Sequence, residues 1–140
     1  MAPPETVIHL QTPASTHQLP VIRAVASTVA MSVDLDLDTI ADIQLAIDEA
    51  CTQLLRRCSG HAVLHSTFEQ WEERGLRVTV AAAPVTEPVE RDDSYGWAIL
   101  DTVTDSVELN VLDAAVLALW SSSDHPVGAI TFTRAAIPLN

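Results

Sequence analysis

The sequence predicts a two-layer α/β sandwich of the α+β class, with a mixed, mostly antiparallel sheet and helices on one face. Three observations carry this. Strand candidates come mostly as sequence neighbours, with helices grouped between them. One long segment, Asp38 to Arg57, repeats apolar residues at helical spacing. The 140 residues are 48% hydrophobic and 19% charged, which suits a single globular domain over 1–140. The ends, 1–4 and 136–140, are small or proline-bearing and are expected to fray.

Glu5 to Leu10 alternates as a short strand, ended by Gln11, Thr12 and Pro13. Ser15 or Thr16 caps a first helix running to about Met31, with Leu19, Ile22, Val25 or Ala26, and Val29 at helical spacing. Asp36 or Asp38 caps the second helix. Its stripe is Ile40, Ile43, Ile47, Cys51, Leu54 and Cys58, and Ser59-Gly60 stops it. Ala62–Glu69 and Leu76–Ala82 flank a polar turn and form a hairpin. Pro84 to Asp93 reads as a loop. Asp93 or Ser94 caps a third helix with Trp97, Leu100 and Val103 on its apolar face. Ser106–Val111 is a strand, Ala114–Ser121 is either strand or short helix, and Gly128–Thr133 closes the chain as a strand.

The net charge is −12, from 19 acidic and 7 basic residues. Such a surface repels phosphate backbones and anionic membranes, so direct binding to either is not expected. It suits a basic protein partner, or simply keeps the chain soluble. Cys51 and Cys58, if both on the second helix, are about 10 Å apart along its axis, too far for a disulfide and in keeping with a reducing cytosol. No secretory signal opens the chain, and the longest apolar run, Ala114–Trp120, is far short of a membrane span. His61 and His65 fall on one face of a strand without a third ligand at matching spacing, so they read as histidines of a half-exposed strand.

No P-loop, dinucleotide fingerprint, nucleophile elbow or zinc pattern is present. The segment Leu45 to Leu55, LAIDEACTQLL, resembles the helix of the ATPase fold shared by histidine kinases, gyrase and Hsp90, above all its anti-sigma serine-kinase branch, where the motif is Glu-Ala-x-Thr-Asn. Glu49, Ala50, Thr52 and Gln53 match it. Tyr95 to Asp105, YGWAILDTVTD, is similar to the family's second glycine box, with Gly96 on its second glycine and Asp105 on its aspartate. The resemblance covers about Thr6 to Thr133 and implies the Bergerat-type fold. It implies Glu49 as general base, Gln53 at the magnesium-binding position, and Gln53 and Gly96 as contacts to a nucleotide. Read without it, Glu49 lies opposite the apolar stripe with Asp42, Gln53 and Arg56, an ordinary solvated face.

The departures from the family pattern are specific. Gln53 is one methylene longer than the family's asparagine, and magnesium demands near-octahedral geometry. Ala81 to Thr86 holds neither the adenine-reading aspartate nor a glycine. Ser94 replaces the first glycine of the second box, and Asp92 and Asp93 stand where phosphates should dock. The resemblance therefore implies an anti-sigma factor that sequesters an alternative sigma factor in the cytoplasm and is released by an anti-anti-sigma protein, working as a homodimer. No cofactor is expected, with ATP and Mg only if the site still functions. An active serine kinase acting on the anti-anti-sigma protein is the alternative, and a small dimeric structural module a second one.

Overall fold

The computed structural model describes residues 6–111 and 126–136. The ambiguous segment Ala114–Ser121 and the two chain ends lie outside the described residues. The elements, in order, are β1 (Val7–Pro13), α1 (Leu19–Ser32, entered through a short 3-10 turn Thr16–Gln18), α2 (Leu37–Leu55), β2 (Cys58–Gln70), β3 (Gly75–Val85), α3 (Tyr95–Val103), β4 (Ser106–Leu109) and β5 (Gly128–Ala135).

Local chemistry sets the boundaries. Ser15 accepts from the His17 amide and starts the 3-10 turn. Asp36 caps α2, accepting from the Thr39 amide and the Thr39 hydroxyl, and that hydroxyl bond holds its carboxyl below the usual range. α2 ends at Leu55 with Arg56 as its last cap, earlier than the hydrophobic spacing implies. Cys58 keeps the period of the stripe but opens β2. The two cysteines thus belong to different elements, and both are free thiols.

The five described strands form one sheet in the order β1-β2-β3-β5-β4. Every pairing among them is antiparallel, in keeping with the mostly antiparallel sheet expected. β1 extends through Pro13, which is tolerated because β1 is an edge strand. β3 runs on to Val85, past the point where Pro84 suggested a loop.

The pleat sorts side chains to two faces. Leu64, Phe68, Leu76, Val78, Val80, Ala82, Ile130 and Phe132 share one core with Ile22 and Ala26 of α1, Ile43, Ile47 and Leu54 of α2, and Leu100 of α3. The opposite face carries small or polar residues, including Thr67, Thr79, Ala81, Ala129 and Thr131. Thr79 and Thr131 share a hydroxyl hydrogen bond of 3.0 Å. His65 lies on this second face and is buried, while His61 is exposed, so the two are not equivalent positions of a half-exposed strand. Burial lowers the His65 pKa, and the nearby charge of His9 adds to the effect.

Arg134 of β5 joins the layers. Its guanidinium reaches Asp42 of α2 at 3.0 Å and Asp105, just after α3, at 3.4 Å. Asp105 also accepts from the Ala135 amide at 2.8 Å. With Gly96, at the start of α3, lying against Glu49 and Gln53, these contacts run α3 antiparallel to α2.

Candidate functional site

The residues singled out in the sequence meet at one place, the seam between α2 and the first turn of α3. Glu49 and Gln53 are one helical turn apart on α2, so their side chains project to the same side. Gly96 stands opposite. A Cβ at position 96 would lie 2.7 Å from Glu49 Oε2 and 2.9 Å from Gln53 Nε2. A side chain at position 96 would therefore have to displace the ends of Glu49 and Gln53.

This face of α2 is not the solvated surface that its polarity suggests. Gln53 is only 1% exposed, because α3 and the segment after β3 cover it. Glu49 is half-buried. Asp42 is half-buried on the Arg134 ion pair, and Arg56 is exposed. The residue that continues the line Glu49–Gln53 is Arg57, at the next i+4 step, and it is buried.

Arg57 organises the surroundings. Its Nη1 donates to the Gln53 backbone oxygen at 2.7 Å and to Gln53 Oε1 at 3.2 Å. Its Nη2 donates to the Glu90 backbone oxygen at 3.4 Å, and its Nε lies 3.8 Å from the Glu87 carboxylate. The Arg57 backbone oxygen in turn accepts from the Thr86 amide at 2.7 Å and the Thr86 hydroxyl at 3.1 Å. The segment 86–90 is thereby strapped to the end of α2. Asn110, whose φ of 58° is in the left-handed region asparagine tolerates, holds the strap from the other side. Its Nδ2 donates to the Val89 oxygen at 3.0 Å and its Oδ1 accepts from the Ala129 amide at 3.3 Å.

The sequence marks Arg57 only as the end of the long helical segment and does not single out Asn110. The i+4 spacing of Glu49, Gln53 and Arg57 was the available signal for the first. For Asn110 the sequence holds none, since its partners are 19 and 21 residues away.

Around the start of α3, Ser94 occupies the cap position without a side-chain cap bond. Asp92 Oδ1 instead accepts from the Ser94 amide at 2.7 Å, and the Ser94 side chain, then this amide, lower the Asp92 pKa. Asp93 is exposed beside it. Arg91 grips Asp101 with two bonds of 2.9 and 3.0 Å and lies over the Trp97 ring, 5.4 Å from its centre. The Asp101 carboxyl is held below its ordinary value by that guanidinium. On the inner side of α2, burial and then the nearby Asp48 charge push the Cys51 thiol up to about 12, so it is an inert core group.

A Mg–ATP complex at this seam would need an open oxygen on residue 53 and room beside residue 96. Here the Gln53 oxygen already accepts from the Arg57 guanidinium at 3.2 Å, and the ends of Glu49 and Gln53 lie where a Cβ of residue 96 would stand. The residues that follow β3 include Glu87, Glu90, Asp92 and Asp93, whose charge opposes a phosphate chain. The residues present do not fit the complex.

A two-layer sandwich with a Glu-Ala-x-Thr-Gln helix facing a glycine at the start of α3 defines a class, the histidine-kinase-like ATPase fold. Within it, the chain is similar to proteins named anti-sigma factor and serine-protein kinase. It is 30% identical over 101 residues to an anti-sigma-F factor RsbW of Mycobacterium tuberculosis, covering 72% of this chain and 60% of the relative. It is 24% identical to serine-protein kinases RsbW of Halalkalibacterium halodurans, over 83% of this chain and 82% of the relative, and of Bacillus cereus, over 73% and 76%. The chain thus spans about 60% of the length of the anti-sigma-F factor relatives. A crystal structure of the RsbU and RsbW domains of a Mycobacterium tuberculosis protein superposes with a TM-score of 0.64 at 15% identity, covering 98% of this chain and 34% of that one, which establishes the shared fold. No protein-family model matches the chain.

Proposed function

We propose that this chain is an anti-sigma factor that works by gripping its partner, with the nucleotide site closed and phosphoryl transfer lost. The observation that carries the reading is the close approach of Gly96 to Glu49 and Gln53, whose side-chain ends leave no room for a Cβ there. The seam between α2 and α3, where a nucleotide would lie in a kinase of this family, is filled by the protein's own side chains. The relatives named anti-sigma-F factor support the binding half of the reading, and those named serine-protein kinase support an ancestry in catalysis.

The partner is an alternative sigma factor, released when an anti-anti-sigma protein competes for overlapping surface in the cytoplasm. The working unit is a homodimer. A single domain over 1–140 carries this activity. Four arginines, Arg23, Arg57, Arg91 and Arg134, are held in internal ion pairs with acids, which leaves the net charge of −12 to attract a basic partner. Among the described residues no helix is long and apolar enough to cross a membrane.

The test is surface-binding kinetics against candidate sigma factors, at low and physiological salt, for wild type and Glu49→Ala. Binding is expected without nucleotide, with association slowed by salt because steering is screened beyond about 10 Å. Glu49→Ala is expected to keep the affinity. Capture of a sigma factor only in the presence of Mg–ATP would return the chain to the kinases.

A further inference from the structure

We infer that Arg57 is a built-in cation of the α2–α3 seam, holding the Gln53 oxygen and clipping the 86–90 strap so that the site closes without a divalent metal or nucleotide. This rests on the reading that the chain binds a partner and does not transfer phosphate.

The geometry is more than an ordinary helix end. An arginine that merely capped α2 would donate to the last free carbonyls, and Arg57 does so at the Gln53 backbone oxygen. It also takes the Gln53 side-chain oxygen, the atom matching the family's metal ligand, and reaches across to Glu90 and Glu87 on the strap. Its side chain is 9% exposed, so the charge is screened little by solvent. A divalent cation on the same oxygen would meet a permanent positive charge at hydrogen-bond distance. The extra methylene of Gln53 has a consequence here. It carries Oε1 toward Arg57 while Nε2 faces Gly96, so one amide serves both walls of the seam.

The strap matters because both clips act on it. Arg57 holds Thr86, Glu87 and Glu90 from α2, and Asn110 holds Val89 from the β4 side. Arg57 is therefore a positioning residue for the strap.

The experiment is hydrogen–deuterium exchange of peptides covering 86–92, in wild type, Arg57→Gln and Arg57→Lys, with and without millimolar magnesium and with Mg–ATP. Wild-type strap exchange is expected to be slow and indifferent to both additions. Arg57→Gln should speed it at least about tenfold while β3 and β5 keep their protection. In that variant magnesium alone should slow it again, because the Gln53 oxygen is freed. Arg57→Lys, which keeps the charge but not the fork of donors, should fall between the two and ignore magnesium. A wild-type strap that tightens with magnesium overturns the inference, as does an Arg57→Gln strap that neither loosens nor answers to magnesium. Should Arg57→Gln fail to fold, the wild-type and Arg57→Lys arms decide. Sigma-factor capture is read separately. A closed, magnesium-indifferent wild type that captures no sigma factor removes the proposed function alone.

Discussion

The two sides of α2 are built on different principles. One is the apolar stripe Ile40, Ile43, Ile47, Cys51 and Leu54, all buried. It packs on the sheet, and its worth is area: a fully buried aliphatic side chain contributes about 1.5–3 kcal/mol. The other is the line Glu49, Gln53 and Arg57, of which the last two are ordered by pairing with each other and with the strap. Gln53 and Arg57 are nearly as inaccessible as the stripe, and their burial is offset by the bonds Arg57 makes to Gln53 and to the strap. The first side tolerates any apolar group of the right size, whereas the second tolerates few changes at all unless partners change together.

The largest expected effect is on the stripe. Ile47→Asp puts an unpaired carboxylate where exposure is zero, at a cost of several kcal/mol, and should leave no cooperative melt. Glu49→Ala, on the other side and with no hydrogen bond to lose among the described residues, should cost under about 1 kcal/mol in the same melts. Equal destabilisation by the two would erase the distinction between the faces.

Gln53→Leu sharpens it. The substitution keeps most of the volume but strips Arg57 of a side-chain acceptor inside the seam. It should cost about 1–3 kcal/mol in urea unfolding, the penalty of a buried polar group left short of a partner. A neutral or stabilising result would mean that Gln53 is held there by volume alone.

The sequence exposed the stripe and concealed the paired line for a physical reason. Apolar periodicity is a local signal, and Ile40 to Leu54 display it within one helix. Whether a polar face is wet depends on what folds over it, and the cover for Gln53 arrives some 40 residues later, with Gly96. The same limit explains Cys58, which keeps the helical period but follows the Arg56 cap into β2, because periodicity does not register where backbone hydrogen bonds change partner. Pro84 misled in the opposite direction: a proline ordinarily ends a strand, but β3 carries it to Val85. The site was legible as three residues, Glu49, Gln53 and Gly96, which do meet. Arg57 and Asn110, which hold the strap over them, act through contacts of long sequence separation or through backbone atoms that composition does not encode.

A smaller effect is expected on the far face of the sheet. His65 is buried there with its pKa lowered. The unfolded chain takes up that proton near the ordinary value of about 6.5, while the folded one resists until lower pH. The stability contribution of the neutral ring is thus present above about 6.5 and is lost as pH falls toward the folded value. Urea midpoints should drop between neutral and mildly acidic pH, and His65→Gln should flatten that part of the profile. A midpoint in wild type that rises on acidification over this range would contradict the assignment.

The central claim is that the seam between α2 and α3 is already filled. Titration calorimetry of Mg–ATP into the purified protein tests it most directly. The structure predicts no measurable heat of binding up to millimolar nucleotide, with or without magnesium, because the Gln53 oxygen is held by Arg57 and Gly96 abuts Glu49. A magnesium-dependent dissociation constant in the low micromolar range would contradict it, and would make Glu49 the general base of a working kinase.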